Sequence, residues 1–356
     1  MSKGLLVQLL CVTLLVGGAT AIGRAKKPEP QPTPPDLLMD GGRKLAFERV
    51  FSNEREVQIK RGFWKKVLDV VAGEPDYRFM VRPYGIAVDS RGRLIVTDPG
   101  AEGIHIFDFE QQKYKFLQRK DKNKDSMLAP QCIAVDAQNN LYVTDSESGK
   151  IFIFDANGKY LRALGSIKGG EGFFKRPTGI AVDSAKRQIY VTDTLRSKVY
   201  VMDMKGEVLK TIGENGTANG QFNFPTELLL DQDGLSVVDA MNFRVQTFDR
   251  SGVFQSAIGK LGEEPGTLFR PKGIGRDSED HLYVVDALQA TVQVFDREGQ
   301  LLYSFGGSGS ELGRFQLPTG VSIDRNDRVY VVDSFNRRVQ VFHYTAAPKQ
   351  VQGVKR

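Results

Sequence analysis

The sequence predicts an all-β fold: a six-bladed β-propeller of four-stranded blades, closed by an N-terminal strand that completes the last blade. Three observations predict it: one unit recurs along the chain, each copy holds four short apolar runs, and the last copy lacks its fourth run. Each unit begins with a Pro-x-Gly-Ile-Ala-Val-Asp motif, and the prolines step by 47, 47, 48, 46 and 47 residues. The motifs lie at 83–89, 130–136, 177–183, 225–231, 271–277 and 318–324. A four-stranded unit repeating every 40–50 residues or so is typical of a propeller blade.

Each unit is expected to form four antiparallel strands. In the first copy the apolar runs lie at 86–88, 94–96, 104–107 and 114–117. They are rich in β-branched and aromatic residues and are bounded by Gly, Asp and Asn, which is the pattern of short strands between turns. Asp-x-x-Gly sequences, such as that at 155–158, indicate hairpins between third and fourth strands.

The ring is expected to close through a strand from the N-terminal side. After the third strand of the sixth unit, at 339–342, no fourth apolar run follows. Residues 66–73 resemble the fourth strands at 160–165 and 208–213. We therefore predict that residues 65–72 supply the outer strand of blade six, which removes an exposed sheet edge.

Four segments are expected along the chain. They are a signal peptide or uncleaved anchor at 1–21, a proline-rich linker and basic lead-in at 22–64, the propeller at 65–345 and a basic C-terminal tail at 346–356. Lys3 precedes an apolar run at 5–22, and the small residues at 19–21 fit a signal-peptidase site. These features predict an extracytoplasmic protein, in the periplasm or envelope or secreted, with a membrane tether if the N-terminal segment is retained.

The excess positive charge lies in the terminal segments. The whole chain carries a net charge of +6, whereas residues 73–345 hold 34 basic and 36 acidic side chains, a net charge of −2. A nucleic-acid-binding domain is expected to carry a basic surface, so nucleic acid is disfavoured as a partner. Two cysteines in the chain exclude a disulfide framework and a four-thiolate metal site.

The units resemble NHL repeats, and the chain resembles exported bacterial propellers of that type. The family's Asp-x-x-Asn-x-Arg-Val motif is present at 239–245 and 333–339. Its Gly-x-Phe-x-x-Pro lead-in is present at 220–225 and 313–318. The resemblance covers about residues 65–345, is most specific in blades four and six, and implies a propeller that is commonly six-bladed.

Residues that recur in every blade are expected to be structural. An aspartate ends each second strand, at Asp98, Asp145, Asp193, Asp239, Asp286 and Asp333. Although a ring of carboxylates suggests a metal, aspartate at a turn commonly accepts hydrogen bonds from backbone amides, and we expect that role here. Arg244 and Arg338 are expected to pair with carboxylates of their own or a neighbouring blade.

Function is expected where one copy departs from the pattern. Glu227 replaces the glycine of Pro-x-Gly in blade four, and Arg276 replaces an apolar residue of the innermost strand in blade five. A charge on an innermost strand is costly unless it is paired. We therefore predict that the two side chains face a shared axial pocket or bridge each other across the blade boundary, the alternative being a purely structural ion pair. Cys132 replaces the same glycine in blade two and is expected to be a small buried filler.

A second candidate surface is formed by the loops leading into each unit and the loops after each second strand. It carries basic residues at Arg82, Lys175, Arg176, Arg196, Arg270, Lys272, Arg314 and Arg337, with Arg244 and Arg338 in the NHL motifs. Phenylalanines accompany them at Phe79, Phe174, Phe269 and Phe315. Arginines beside aromatic rings suit an anionic or sugar-like partner, although the same rings can instead fill the spaces between blades.

Catalysis is disfavoured but left open. The fold also resembles amidating-lyase and streptogramin-lyase propellers, which rely on histidines, but His105, His281 and His343 occupy different positions in their blades. Lactonase-type propellers use Glu, Asn and Asp around one calcium ion, and Glu227 alone matches such a ligand. No cofactor is therefore predicted, with calcium as the alternative.

The sequence thus predicts an exported, monomeric propeller that acts as a binding or scaffolding module. Its partner is expected to be a protein or an anionic or carbohydrate ligand, such as a polysaccharide, in the cell envelope. Two alternatives remain: a metal-dependent hydrolase or lyase with its site at the central channel, and an RNA-binding propeller if the protein is not exported.

Overall fold

The computed structural model describes residues 32–57, 77–121, 126–167 and 171–346. The predicted signal peptide, the segment 65–72 and all but the first residue of the predicted basic tail lie outside these ranges.

Six sheets form the blades, as the repeat predicts. Blade one contains β3 (Ile86–Val88), β4 (Leu94–Asp98), β5 (Gly103–Asp108) and β6 (Lys113–Leu117). Blade two contains β7 (Pro130–Val135), β8 (Leu141–Asp145), β9 (Lys150–Phe154) and β10 (Tyr160–Leu164). Blade three contains β11 (Pro177–Asp183), β12 (Gln188–Asp193), β13 (Lys198–Asp203) and β14 (Val208–Ile212).

The remaining blades repeat this order. Blade four contains β15 (Pro225–Leu230), β16 (Leu235–Asp239), β17 (Arg244–Phe248) and β18 (Phe254–Ile258). Blade five contains β19 (Pro271–Arg276), β20 (Leu282–Asp286), β21 (Thr291–Phe295) and β22 (Leu301–Gly306). Blade six contains β23 (Pro318–Ile323), β24 (Arg328–Asp333) and β25 (Arg338–Thr345), followed by β2 (Lys44–Phe51) and β1 (Leu37–Leu38). The fold prediction is confirmed.

The helices of the described residues are short 3₁₀ turns. They span Asp40–Gly42, Glu54–Glu56, Pro99–Ala101, Thr194–Arg196 and Ala240–Asn242. No helix in the described part of the chain is long and apolar enough to cross a membrane.

Apolar side chains from neighbouring blades pack together and form the core. Between blades one and two, for example, Ile95 and Ile106 belong to one buried cluster with Leu141, Val143 and Phe152. One such cluster lies at each blade boundary. Because the middle strands are covered on both faces, their sequences read as continuous apolar runs rather than as an alternating pattern.

The ring closes through an N-terminal strand, but not through the predicted segment. Strand β2 pairs antiparallel with β25 from Lys44 opposite Thr345 to Phe51 opposite Val339. The position assigned to residues 65–72 is therefore taken by residues 44–51. A bulge between Phe47 and Arg49 shifts the register within β2. It breaks the period-two pattern of a simple strand, and this is the physical reason why the prediction was wrong.

Candidate functional site

The aspartates that end the second strands hold the loops in place. All six carboxylates are fully buried. In blade one, Asp98 accepts hydrogen bonds from the backbone amides of Val81, at 2.6 Å, and Arg82, at 2.9 Å. Each of the other five accepts at least one amide from the loop that leads into its own blade. The predicted structural role is confirmed, and each aspartate fixes a loop at the same end of the propeller.

Three of the predicted arginines complete this framework. Arg244 Nε lies 2.9 Å from Asp239 Oδ2, and Arg338 Nε lies 2.7 Å from Asp333 Oδ2. Both guanidinium groups also donate to carbonyl oxygens of the preceding loop. Arg196 makes a longer contact, 3.3 Å, with its own second-strand aspartate. These arginines therefore tie the loops to their blades, as expected for Arg244 and Arg338.

His105 and His281 each have a carboxylate partner in their own blade. His105 is fully buried, with Nε2 3.2 Å from Asp98 Oδ2 and Nδ1 2.8 Å from the Tyr114 hydroxyl. Gln246, at the equivalent position of blade four, donates to its own second-strand aspartate in the same way. Within the described ranges no group of three or more His, Cys, Asp or Glu side chains is arranged to hold a metal ion.

A central channel runs along the innermost strands. It encloses about 270 Å³. The strands that line it are β3, β7, β11, β15, β19 and β23, and among the described strands each pairs with one other. Their inner edges therefore present backbone N–H and C=O groups to the channel, which makes its wall polar.

Near the end of the channel at which these strands begin, six residues form a ring around the axis. The ring consists of the third residue of each repeated motif, namely Gly85, Cys132, Gly179, Glu227, Gly273 and Gly320. Glycine is required where the neighbouring strand passes closely. A Cβ atom on Gly179 would lie 2.5 Å from the carbonyl oxygen of Thr226 and 2.8 Å from the Cα of Glu227. Only blades two and four place a side chain on the ring.

Glu227 and Cys132 contact each other across blade three. The Cys132 thiol donates to Glu227 Oε2 at 2.9 Å, and the backbone amide of Leu228 lies 3.3 Å from Oε1. Burial raises the pKa of the Glu227 carboxyl above its usual range. Burial, and then the adjacent carboxyl, raise the pKa of the Cys132 thiol. Cys132 is thus buried, as predicted, and it is also the hydrogen-bond partner of the glutamate.

Glu227 and Arg276 both line the channel but do not pair. Glu227 is the third residue of β15, whereas Arg276 is the last residue of β19. At a rise of about 3.3 Å per residue, they lie about 10 Å apart along the axis. Arg276 Nε instead bonds Asp231 Oδ2 of blade four at 2.9 Å, and its Nη1 bonds the Asp280 carbonyl. An ion pair thus bridges the boundary between blades four and five, but the acidic partner of Arg276 is Asp231 rather than Glu227.

Beside the ring, at the strand-beginning end, Tyr84 and Lys272 form the channel mouth. Each directly precedes its blade's ring glycine. Lys272 Nζ lies 5.7 Å from the centroid of the Tyr84 ring. Burial, together with the positive charges of Arg270 and Arg176, lowers the pKa of Lys272 to about 8. Burial also raises the pKa of Tyr84, which keeps its hydroxyl protonated.

Arginines surround this mouth. Arg82, Arg176 and Arg270 directly precede the motif prolines of blades one, three and five, and their side chains are exposed. Arg314 and Arg337 are exposed on the same face. The face formed by the loops before the first strands and after the second strands is called the lead-in face below. It gathers the predicted arginines at one end of the propeller.

The lead-in face also carries apolar side chains that sequence reasoning missed. The loops after the second strands of blades three to six expose Leu195 by 49%, Met241 by 37%, Leu288 by 53% and Phe335 by 48%. All four occupy the second position after the second-strand aspartate, and this recurring apolar residue is the signal that finds them. Val81, Leu128, Phe224 and Phe269 on the preceding loops extend the surface.

The predicted phenylalanines divide between the two expected roles. Phe174 and Phe315 are 4% and 0% exposed and fill space between blades, whereas Phe79 and Phe269 are 57% and 37% exposed. A phenylalanine is therefore not a uniform marker of this face.

Two family models match the sequence. A model described as a 6-bladed beta-propeller matches residues 123–213 and 182–261. The model of the NHL repeat matches residues 315–342, in blade six. No curated protein sequence matches the chain significantly.

Solved structures with the same fold have varied descriptions. A catalytically inactive variant of virginiamycin B lyase from Staphylococcus aureus is 15% identical, with 76% of this chain and 85% of that chain covered and a TM-score of 0.54. A gluconolactonase from Xanthomonas campestris is 15% identical, with coverages of 88% and 99% and a TM-score of 0.56. An auxiliary nutrient binding protein from Bacteroides thetaiotaomicron is 11% identical, with coverages of 75% and 70% and a TM-score of 0.57. Such low identities establish the fold alone. The chain is a six-bladed β-propeller, and its sixth blade matches the NHL repeat.

Proposed function

We propose that this propeller is a binding module that docks a protein partner on its lead-in face. The observation that carries the proposal is the row of exposed apolar side chains at Leu195, Met241, Leu288 and Phe335, one on each of four consecutive blades. Several large apolar side chains exposed on one face of a folded domain commonly mark an interaction site. Aromatic residues, methionine and arginine, which are enriched in protein interfaces, are all present on this face.

The arginines indicate an acidic partner. Within the described residues, the guanidinium groups of Arg82, Arg176 and Arg270 have no carboxylate within ion-pair distance. Exposed, unpaired guanidinium groups around an apolar surface favour a partner with apolar anchors and nearby Asp or Glu residues. The partner is thus expected to be a protein rather than a neutral polysaccharide.

Photo-crosslinking tests this proposal. Benzoylphenylalanine is introduced at Leu288 on the lead-in face and, as a control, at Leu209, which is 52% exposed on outer strand β14. We expect one defined adduct at position 288 and none at 209. Leu288→Ser should then weaken binding of the purified partner about 30-fold, which corresponds to about 2 kcal/mol, whereas Leu209→Ser should not. Equal adducts at both positions, or none at 288 in the natural host, would refute docking on this face.

We also propose that the protein acts outside the cytoplasm. The support is the apolar run at 5–22 followed by the proline-rich spacer, both read from the sequence. Mass spectrometry of the mature protein in its natural host tests this. A chain that begins at Ile22 indicates cleavage, and an intact chain in the membrane fraction indicates an anchor. An intact chain in the cytoplasmic fraction would contradict export.

A further inference from the structure

The first residue of the third strand is basic in four of the six blades. From blade one to blade six the residues are Gly103, Lys150, Lys198, Arg244, Thr291 and Arg338. In blades four and six this arginine pairs with the buried aspartate that ends the second strand and donates to carbonyl oxygens of the lead-in loop. A guanidinium group thus lies between that loop and the third strand.

Blade five lacks this cation. Thr291 is shorter than arginine, and within the described residues its buried hydroxyl oxygen has no hydrogen-bond partner. The second-strand aspartate, Asp286, is fully buried and accepts backbone amides such as those of Phe269 and Gln289. No cationic side chain in the described part of the chain forms an ion pair with it. A buried carboxylate without a charged partner is costly, so blade five carries the acceptors of the arginine site without its donor.

The loop carbonyls that bind the arginine in blade four recur in blade five. Arg244 donates to the carbonyl oxygens of Ala218 and Gln221, which lie seven and four residues before the motif proline. Glu264 and Thr267 occupy the same positions in blade five. The Thr267 amide donates to the Glu264 carbonyl at 2.9 Å, as the Gln221 amide donates to the Ala218 carbonyl at 3.0 Å. The lead-in loop of blade five therefore keeps the turn that receives a guanidinium group in blade four.

A recess of about 570 Å³ opens at this place on the lead-in face, and we call it the blade-five recess. Its lining includes Thr291, Pro265, Phe269, Leu288 and Glu263. The Glu263 side chain is exposed and forms no ion pair among the described residues. A carboxylate beside an aromatic ring and aliphatic groups suits a cation on an apolar stem, since the ring face attracts the cation and the stem packs on the apolar wall.

The equivalent recess of blade two has a cation of its own. It encloses about 480 Å³ and is lined by Leu128, Glu147, Glu171 and Lys150. Lys150 stands at the position of Thr291 and is 1% exposed. A long basic side chain is thus accommodated at this position, and in blade five the cation has to come from another molecule.

We propose that the blade-five recess binds the guanidinium group of an arginine from the docked partner, with the stem against Phe269 and Leu288 and the charge facing Glu263. Arginine suits the recess better than lysine because its planar group has five donors for the carboxylate and the loop carbonyls. This inference rests on the proposed docking function, since Leu288 belongs to the docking surface. The partner is therefore expected to present one arginine among its apolar and acidic residues.

Fluorine NMR of the full chain tests the recess without the partner. 4-Fluorophenylalanine is introduced at Phe269 or, as a control, at Phe79, an exposed ring before blade one. The probes are N-acetylarginine methylamide and its lysine and leucine counterparts. We expect the arginine amide to shift the signal at 269 saturably, about tenfold more tightly than the lysine amide, and to leave the signal at 79 unchanged.

Substitutions at the recess sharpen this test. Thr291→Arg introduces the residue type of blades four and six and should abolish the shift, and Thr291→Lys, the residue type of blade two, replaces it if the first variant does not fold. Glu263→Gln should weaken binding about fivefold, whereas Glu264→Gln, on an exposed neighbour outside the lining, should not. The absence of a saturable shift, or equal shifts from all three amides, would overturn the site.

Binding of the purified partner then identifies the source of the guanidinium group. If the source is the partner, Thr291→Arg should weaken that binding about tenfold. Unchanged partner binding, together with a saturable shift, would instead assign the recess to a free guanidinium compound and refute the partner's arginine. A crosslink at Leu288 without any shift would uphold docking and refute the recess. Conversely, a shift without any crosslink would uphold guanidinium binding and refute the docking surface.

Discussion

Replacing Lys272 by methionine is expected to stabilise the propeller at neutral pH. Methionine keeps a long apolar stem against Tyr84 but removes the partly buried ammonium. The fall in the pKa of Lys272 from 10.5 to about 8 corresponds to about 3 kcal/mol, at about 1.4 kcal/mol per pKa unit. Because Lys272 is only half-buried, water screens part of that cost, and we expect a gain of about 1–2 kcal/mol.

The gain should depend on pH in a defined direction. Below pH 8 the lysine is protonated in both states, and the folded state bears the full cost of burying the charge. Between about pH 8 and 10.5 the unfolded chain holds a proton that the folded protein has lost, so wild-type stability gains from this group as the pH rises. The advantage of Lys272→Met should therefore be largest below pH 8 and shrink towards pH 10.5.

Urea unfolding followed by far-UV circular dichroism measures this difference. The buffers must lack carboxylates and phosphate, since a bound anion would stabilise the ammonium and reduce the gain. Lys186→Met, on an exposed turn, serves as the control and should change stability by less than about 0.5 kcal/mol. A variant less stable than wild type at pH 7, or a gain that stays constant up to pH 10.5, would refute the argument that Lys272 carries an unpaired charge.

Three further changes test the framework. Gly179→Ala should lower the melting temperature, at a cost of about 2–3 kcal/mol, because its Cβ would meet backbone atoms, and Gly320→Ala should cost less, since its nearest contact is 2.7 Å rather than 2.5 Å. Arg338→Met should cost about 3 kcal/mol in urea unfolding, because a buried carboxylate loses its charged partner, whereas the exposed neighbour Arg337→Met should be neutral. Removing residues 1–52 deletes β2, and size-exclusion chromatography should then show oligomers formed through the free edge of β25.

The repeat made the fold predictable because every blade packs against its neighbours in the same way. Six copies of one motif fix the number of blades, and four apolar runs per copy fix the number of strands. The role of the second-strand aspartates was predictable for the same reason. A residue that recurs in every blade is expected to have a structural role in every blade, which here is to hold the lead-in loop. The outer strand of blade six lies outside the repeat, and its bulge between Phe47 and Arg49 hides the alternation that would have marked it.

The candidate site was predictable only in part. The departure from glycine located Glu227 on the axis, but its partner could not be inferred, because Cys132 lies 95 residues away and meets it across a third blade. Likewise, Arg276 pairs with Asp231 rather than with Glu227, because it lies further along its innermost strand than Glu227 does along the neighbouring one. The exposed side chains at Leu195 and Leu288 lie in polar loops, where their recurrence at the second position after the second-strand aspartate marks them and no strand or helix periodicity does.

The ring of residues around the axis limits the positions at which a side chain can line the channel. On the glycines of blades one, three, five and six, an added Cβ would meet a backbone atom of the next blade at 2.5–2.7 Å. Cys132 and Glu227 are each followed around the ring by a glycine, Gly179 and Gly273, which presents no Cβ of its own. The clash on each of these four glycines is with backbone of the next blade, so none of them can take a side chain without a backbone shift, and the ring's side chains stand at Cys132 and Glu227. A change in what the channel binds is therefore expected to come from these two positions, or from residues such as Tyr84 and Lys272 that approach the axis from the mouth.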